Sequence, residues 1–416
     1  MSKPLASDPE MQIILNNELQ RQKDQLNMIP SENYSSKAVL AASGSVLMNK
    51  YAEGYARKRY YQGNEFIDDA EELAVERAKK LFGAEHANVQ PNSGSPANMA
   101  VYFGLLELKD KIMAMDLMHG GHLTHGSSVN FSGKLYNFAH YGVDKESELI
   151  DMDVVRKLAE KEKPKLILSG FTAYPRTVPF REFHDIAQEV GAISMADISH
   201  IAGLCVTGAH PSPLPFTDIV TTTTHKTLRG PRSAIILCKE KFARQIDKAV
   251  FPGLQGGPHM HTIAAKAVAF AEAMKPEFRD YARQIVRNAK ALADKLMSEN
   301  IKLVSNGTDN HLLLIDLIRT KKVGKAGLGR EYAVALEASG IITNCNTIPF
   351  DPSTPFKPSG IRLGTPILTT RGMREPEMNI IGQFMADIIN SRPGNSELHA
   401  RINAKVKELC SQFTYY

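Results

Sequence analysis

Between residues 86 and 238, short apolar runs alternate with amphipathic segments, and that alternation restricts the chain to few folds. The runs are HANVQ (86–90), KIMAMD (111–116), KLILS (165–169), AISMA (192–196), DIVT (218–221) and AIILC (234–238). Segments such as FREFHDIAQEVG separate them and carry apolar residues at helical spacing. Strands interleaved with helices build a largely parallel sheet with helices on its faces. Ahead of this region, EFIDDAEELAVERAKKLFG predicts a helix with Phe66, Ala70, Leu73, Arg77 and Leu81 on one face and a stop at Gly83. The pattern changes at Lys275 and Pro276. Beyond them Phe278, Tyr281, Ile285, Leu292 and Leu296 share a helical face, and HLLLIDL (311–317) reads as a buried strand. The expected division is an N-terminal arm with helices (1–79), a large α/β domain (80–276) and a smaller C-terminal α+β domain (277–416).

At 416 residues the chain is too long for one core, and its 43% hydrophobic and 23% charged residues are those of a globular protein. A net charge of +5 from 50 basic and 45 acidic residues, with no basic run, gives little support to a nucleic-acid partner and suits small anionic substrates equally. Cys205, Cys238, Cys345 and Cys410 form no CxxC pair, so reduced buried thiols are expected rather than a disulfide framework. MSKPLASDPEMQIIL has no apolar signal core, and no run approaches roughly 20 apolar residues. A cytoplasmic location away from membranes is the expectation.

Ligands of open α/β sheets sit beyond the carboxyl ends of the strands, and three polar clusters fall there. In QPNSGSPANMAVYFGLL a strand ends at Gln90 and a helix starts after Ser95, with Ser95 as N-cap and Pro96 at the first helical position. Gly94 lets a ligand approach the backbone, and free amides at the helix start suit a phosphate. In AISMADISHIAGL, Asp197 follows an apolar strand, where a carboxylate needs a cationic or N–H partner. In VTTTTHKTLRGPR, Lys226 follows a strand that ends in threonines. A solvated lysine is mostly ammonium at neutral pH, whereas desolvation or nearby positive charge frees the amine. Each cluster alone has an ordinary explanation: a helix cap, a capping aspartate, a surface lysine. Together they are what pyridoxal phosphate requires, namely a phosphate anchor, a carboxylate for the pyridine nitrogen and an amine for the aldehyde. HGGHLTH (119–125) offers three histidines, but its two glycines disfavour a ligand-bearing helix and no HExxH occurs, so no metal is expected.

TTTTHKTLRGPR closely resembles the cofactor-lysine signature of serine hydroxymethyltransferases. PSENYSSKAV, NKYAEGYARKRYYQG, HGGHLTHG, TAYPR, DISHIAGL, FPGLQGGP, GTDNHLLL, NTIPFDP and SGIRLGT resemble further blocks of that family, in its order and across most of the chain. The resemblance implies the fold type I architecture of pyridoxal-phosphate enzymes: a mostly parallel seven-stranded sheet flanked by helices, a smaller C-terminal α+β domain and an N-terminal arm. It implies transfer of the serine hydroxymethyl carbon to tetrahydrofolate, a side aldolase activity on β-hydroxy amino acids, and a homodimer or dimer of dimers with shared active sites.

By the same resemblance, Lys226 carries pyridoxal 5'-phosphate as a Schiff base and Asp197 partners its ring nitrogen. Ser93, Gly94 and Ser95 hold the phosphate with His225 and a Gly257 from the other subunit. His122 stacks on the ring, and Thr172 and His200 lie near its phenolic oxygen. Arg362 clamps the amino-acid carboxylate, a task suited to a bidentate guanidinium. Ser31, Tyr51, Glu53, Tyr61 and His200 contact the substrate, Glu53 and Tyr61 being catalytic as well. Glu53, Tyr60, Leu117, Gly121, His122, Leu123, Asn346, Thr354, Pro355 and Phe356 match folate-side positions. PSEN, Thr172, Ser95 and DISH depart from the family's usual ASEN, serine, alanine and DMAH, which bears on supporting geometry more than on the reaction. A folate-independent aldolase and a catalytically dead folate- or RNA-binding relative are the alternatives. Glu53, Tyr60 and Asn346 argue against the first, and Lys226, Asp197, Glu53 and Arg362 together against the second.

Overall fold

A computed structural model describes residues 7–416, which divide into two compact units. One comprises Ser31–Val286 and Thr308–His311; the other gathers the chain up to Pro30, Arg287–Gly307 and Leu312–Tyr416. The Pro276–Ser298 helix contributes to both.

The first unit is built on a seven-stranded sheet: β1 (His86–Asn88), β2 (Lys111–Met115), β3 (Asn137–Tyr141), β4 (Leu166–Gly170), β5 (Ile193–Asp197), β6 (Ile219–Thr223) and β7 (Ala234–Cys238). Their order is β1-β7-β6-β5-β4-β2-β3, and only β7 runs antiparallel to its neighbours. Every residue of β4, β6 and β7 is buried, as expected of strands covered on both faces. This is the mostly parallel α/β sheet expected from the alternation. The Phe180–Glu189 helix buries Phe180, Phe183, Ile186 and Ala187, a single stripe at helical spacing, against the same core as β4 and β5. β3, which the apolar-run reading did not include, is an edge strand whose NFAHY sequence buries only Tyr141. An edge strand needs no continuous apolar run.

Two local expectations need correction. The Glu65–Phe82 helix stops at Gly83 with φ 69°, as expected, but its buried face is Ile67, Asp68, Glu71, Ala74, Ala78 and Phe82. Phe66 is 73% exposed and Leu73 40% exposed. The inward face includes two acids because Arg59 crosses it, bonding Asp68 at 2.8 Å and pairing with Glu71. In the second case, β1 stops at Asn88 rather than Gln90, and the helix that follows runs Gly94–Leu105 with Ser93, not Ser95, as its N-cap. Ser93 is extended and Gly94 already helical, which places Ser95 inside the first turn.

In the second unit, β8 (Leu312–Asp316), β9 (Asn344–Asn346) and β10 (Gly360–Gly364) form an antiparallel sheet with β10 central. The Pro9–Asp24, Gly329–Ala338, Glu375–Ile389 and Ser396–Ser411 helices belong to this unit. Arg371, 5% exposed, ties its ends together by donating to the carbonyls of Lys23, Gln25, Cys410 and Phe413. Among the described residues no helix is long and apolar enough to cross a membrane, and all four cysteines are unpaired.

Candidate active site

Asp197 and Lys226 follow from the sheet itself. β5 and β6 are parallel neighbours with Asp197 in register with Thr221, so Asp197 ends one strand while Lys226 lies just past the end of the next. The two connecting loops are stitched together. The Thr227 hydroxyl donates to the His200 carbonyl at 2.9 Å and accepts from the Gly203 amide at 3.1 Å. Thr223 N–H donates to the Ser199 hydroxyl at 3.1 Å. Lys226 is buried, and its carbonyl accepts from the Asn33 side-chain amide at 2.9 Å.

The Asp197 carboxylate is enclosed by donors. Oδ1 accepts from the Ser199 amide at 3.0 Å and hydroxyl at 2.5 Å, and Oδ2 from Asn98 Nδ2 at 2.9 Å. His125 Nε2 stands 3.5 Å from Oδ2, at the outer limit of a hydrogen bond. His125 Nδ1 accepts from the His122 amide at 3.1 Å, which puts its ring proton on Nε2, facing the carboxylate. Burial raises the cost of charge on Asp197, but His125, Ser199 and Asn98 outweigh it and hold the group well below the usual carboxylate range. Gly170 is needed beside this aspartate: with φ 157°, a Cβ there would lie 2.5 Å from the Asp197 carbonyl oxygen.

Ser93, Gly94 and Ser95 open the helix that carries Asn98. Ser93 makes no side-chain cap, and the amides of Gly94 and Ser95 have no hydrogen-bond partner among the described residues. A Cβ at Gly94 would meet Thr223 Cγ2 at 2.8 Å, so glycine lets this helix start press on the end of β6. His225 is half-buried, with its Nδ1 buried and unpaired. Burial first, then Lys226 and Arg232, lowers its pKa to about 3, leaving a neutral imidazole.

The loop after β2 holds Leu117, Gly121, His122 and Leu123. His122 Nδ1 lies 2.7 Å from the Thr124 hydroxyl, and the Thr124 hydroxyl accepts from Asn98 at 2.9 Å. Thr172, past β4, donates its hydroxyl to the Gly121 carbonyl at 2.8 Å and so fixes that loop. His200 Nδ1 lies 3.2 Å from His311 Nε2. Ser31 begins this unit in a turn.

Tyr51, Glu53, Tyr60, Tyr61 and Gly257 form a separate cluster in the same unit. The Tyr51 hydroxyl donates to Glu53 Oε1 at 3.4 Å, the Tyr51 and Tyr61 rings stand edge-on at 5.2 Å, and Tyr60 packs on Phe251 at 5.7 Å. The Glu53 charge raises the Tyr51 pKa. A Cβ at Gly257 would lie 3.0 Å from the Tyr51 ring. Glu53, Tyr60 and the 251–256 segment line a cavity of about 550 Å³. These side chains touch one another and this segment.

The second unit carries Arg362, Asn346, Thr354, Pro355 and Phe356. Arg362 sits on β10 opposite Asn344 and donates Nε to its side-chain oxygen at 3.1 Å. Burial lowers its pKa to about 10, which leaves it cationic at neutral pH. Asn346 pairs with Gly360 on the same sheet, while Phe356 is 87% exposed in the following loop.

The first unit fits pyridoxal phosphate. An ionised carboxylate with three close donors suits an N–H⁺, orphan amides at a helix start suit a phosphate, and Lys226 lies just past the end of the strand beside the one that Asp197 ends. Sequence reasoning did not identify Asn98, Ser199, Thr124 or Thr227, and gave His125 no role. Asn98 was visible as a lone amide in an apolar helix, and Ser199 as the hydroxyl two residues after an aspartate. Thr227 gave no signal, because its partners come from another loop.

A family model described as serine hydroxymethyltransferase matches residues 5–385. A protein named serine hydroxymethyltransferase from Rippkaea orientalis (strain PCC 8801 / RF-1) is 56% identical over 410 residues, spanning 98% of this chain and 95% of its own.

Proposed function

We propose residue roles for this chain on the ground that it belongs to the serine hydroxymethyltransferase family. It is a pyridoxal-phosphate enzyme that interconverts serine and glycine, exchanging the hydroxymethyl carbon with tetrahydrofolate. When bound, the cofactor supplies an aldehyde that captures an amine and a protonated ring that withdraws electrons from the substrate α-carbon. Lys226 is the amine that holds the cofactor covalently. Asp197 keeps the ring nitrogen protonated, and the adjacency of this donor-enclosed carboxylate to the Lys226 loop is the observation that carries the reading. Ser93, Gly94 and Ser95, with His225, hold the phosphate. His122 presents its ring to the cofactor face, and Thr172 and His200 serve the phenolic oxygen.

Arg362 binds the substrate carboxylate, with Ser31, Tyr51 and Tyr61 as further contacts. Glu53 accepts or returns the proton at the serine hydroxyl or the folate, and Tyr61 assists proton handling beside it. Tyr60, Leu117, Gly121, Leu123, Asn346, Thr354, Pro355 and Phe356 form the folate side. Cleavage of other β-hydroxy amino acids belongs to the same reading as a side activity. So does a homodimer or dimer of dimers in which one copy lends Tyr51, Glu53 and Gly257 to the other's Lys226. Exposure of Tyr51 at 55%, Tyr60 at 70% and Tyr61 at 46% supports that exchange. A cytoplasmic location is supported by four unpaired cysteines.

Lys226→Ala is expected to abolish tetrahydrofolate-dependent conversion of serine to glycine. Turnover close to that of the unaltered enzyme would reject the assignment.

A further inference from the structure

Lys266 lies on the Met260–Ala273 helix, and no role in substrate or cofactor binding falls to it above. It is 1% exposed, one of the largest fully buried side chains in the protein. Its ammonium nitrogen donates to the Val89 carbonyl, to the Ala234 carbonyl at 2.9 Å and, more weakly, towards the Pro91 carbonyl at 3.5 Å. Burial draws its pKa down to about 7, opposed by the Glu71 charge. Only the ammonium form has three N–H groups to offer three carbonyls, so the geometry calls for the charged form.

What Lys266 holds is more telling than its burial. Val89 and Pro91 belong to the irregular segment between β1 and Ser93, which leads directly into the proposed phosphate cradle. Residues 89–92 lie outside any strand or helix and are braced from outside instead. The Ser233 hydroxyl donates to the Pro91 carbonyl at 3.0 Å. Gln255 donates to the Gln90 carbonyl at 3.0 Å and accepts from the Asn92 amide at 3.1 Å. Gln90 in turn donates its side-chain amide to Glu71 at 2.7 Å. Ala234, the third partner of Lys266, is the first residue of β7, next to β6. One buried cation thus pins the entry to the cradle to the central sheet. Charge-assisted bonds inside a low-dielectric interior are the strong kind, and a carbonyl left without its partner there carries the full desolvation cost.

We propose that Lys266 is a positioning residue for the cofactor phosphate, setting where the Gly94 and Ser95 amides point without touching the cofactor. This inference rests on the reading of Ser93, Gly94 and Ser95 as the phosphate cradle. It predicts a loss selective for the phosphate rather than a general loosening of the protein.

The test compares Lys266→Met with the unaltered protein in two titrations after cofactor removal, one with pyridoxal phosphate and one with pyridoxal. Kd is read from the absorbance of the bound ring, and unfolding temperatures are recorded alongside. For Lys266→Met, the Kd for pyridoxal phosphate is expected to rise about tenfold or more, while that for pyridoxal changes by about twofold or less. An equal rise for both ligands, or none, overturns the proposal. If the unaltered protein itself does not prefer pyridoxal phosphate to pyridoxal, the cradle reading fails instead. Should Lys266→Met not fold, Ser233→Ala removes a lighter brace from the same Pro91 carbonyl. It is expected to show a phosphate-selective rise of about threefold, and an unselective or absent effect there overturns the proposal.

Discussion

Asp197 shows how a strand end is made into an electrostatic tool. Left alone, a buried carboxylate would hold its proton; here Ser199, Asn98 and His125 reverse that and hold it ionised. A group whose folded pKa lies below its unfolded value adds stability above the unfolded value of about 3.9, and that stability fades as pH falls towards the folded value. The difference in unfolding temperature between the unaltered cofactor-free chain and Asp197→Asn is therefore expected to be largest near neutral pH and to shrink below about pH 3.9. A difference that stays constant from about pH 7 to about pH 2 would contradict an ionised, donor-enclosed Asp197. Glu53 is the other acid with a stated task. Glu53→Gln is expected to slow folate-dependent serine turnover at least about tenfold more than cleavage of a bulky β-hydroxy amino acid, compared through kcat/KM. Equal losses in the two reactions would remove its special role.

Among the elements, the Glu65–Phe82 helix and the Gly54–Arg59 region ahead of it form one electrostatic assembly. Arg59, with its side chain 3% exposed, spans Asp68 and Glu71 and also donates to the carbonyls of Ala52 and Gly54. Removing one member of a buried charge network strands the others, so Arg59→Met is expected to lower unfolding stability by about 3–5 kcal/mol in denaturant titrations. A loss below about 1 kcal/mol would mean that the pair is better solvated than its burial indicates. The same assembly explains why the face of this helix was misread. Apolar spacing pointed to Phe66 and Leu73, but Asp68 and Glu71 face inward because Arg59 meets them, and a contact made from another segment leaves no local trace. Lys266 was hidden in the same way, since a lysine in AAKAVAF reads as a surface residue until three backbone carbonyls are found around it.

At the scale of the whole molecule, the sheet was legible because six of its seven strands fall on short runs that alternate with amphipathic segments, and β3 escaped because its edge position relaxes the demand for apolar residues. The placement of Asp197 and Lys226 at neighbouring strand ends was legible, and the carboxyl end of a parallel strand is where such folds hold ligands. The supporting residues were not, because Asn98, Thr227 and Asn33 act on loops brought near only by folding. The central claim is that the buried amine beside the Asp197 strand end carries the cofactor. Borohydride reduction of the cofactor-loaded enzyme, followed by protease digestion and mass spectrometry, tests it directly. The reduced pyridoxyl group is expected on the peptide containing Lys226, and its appearance on Lys266 or any other lysine would contradict the account.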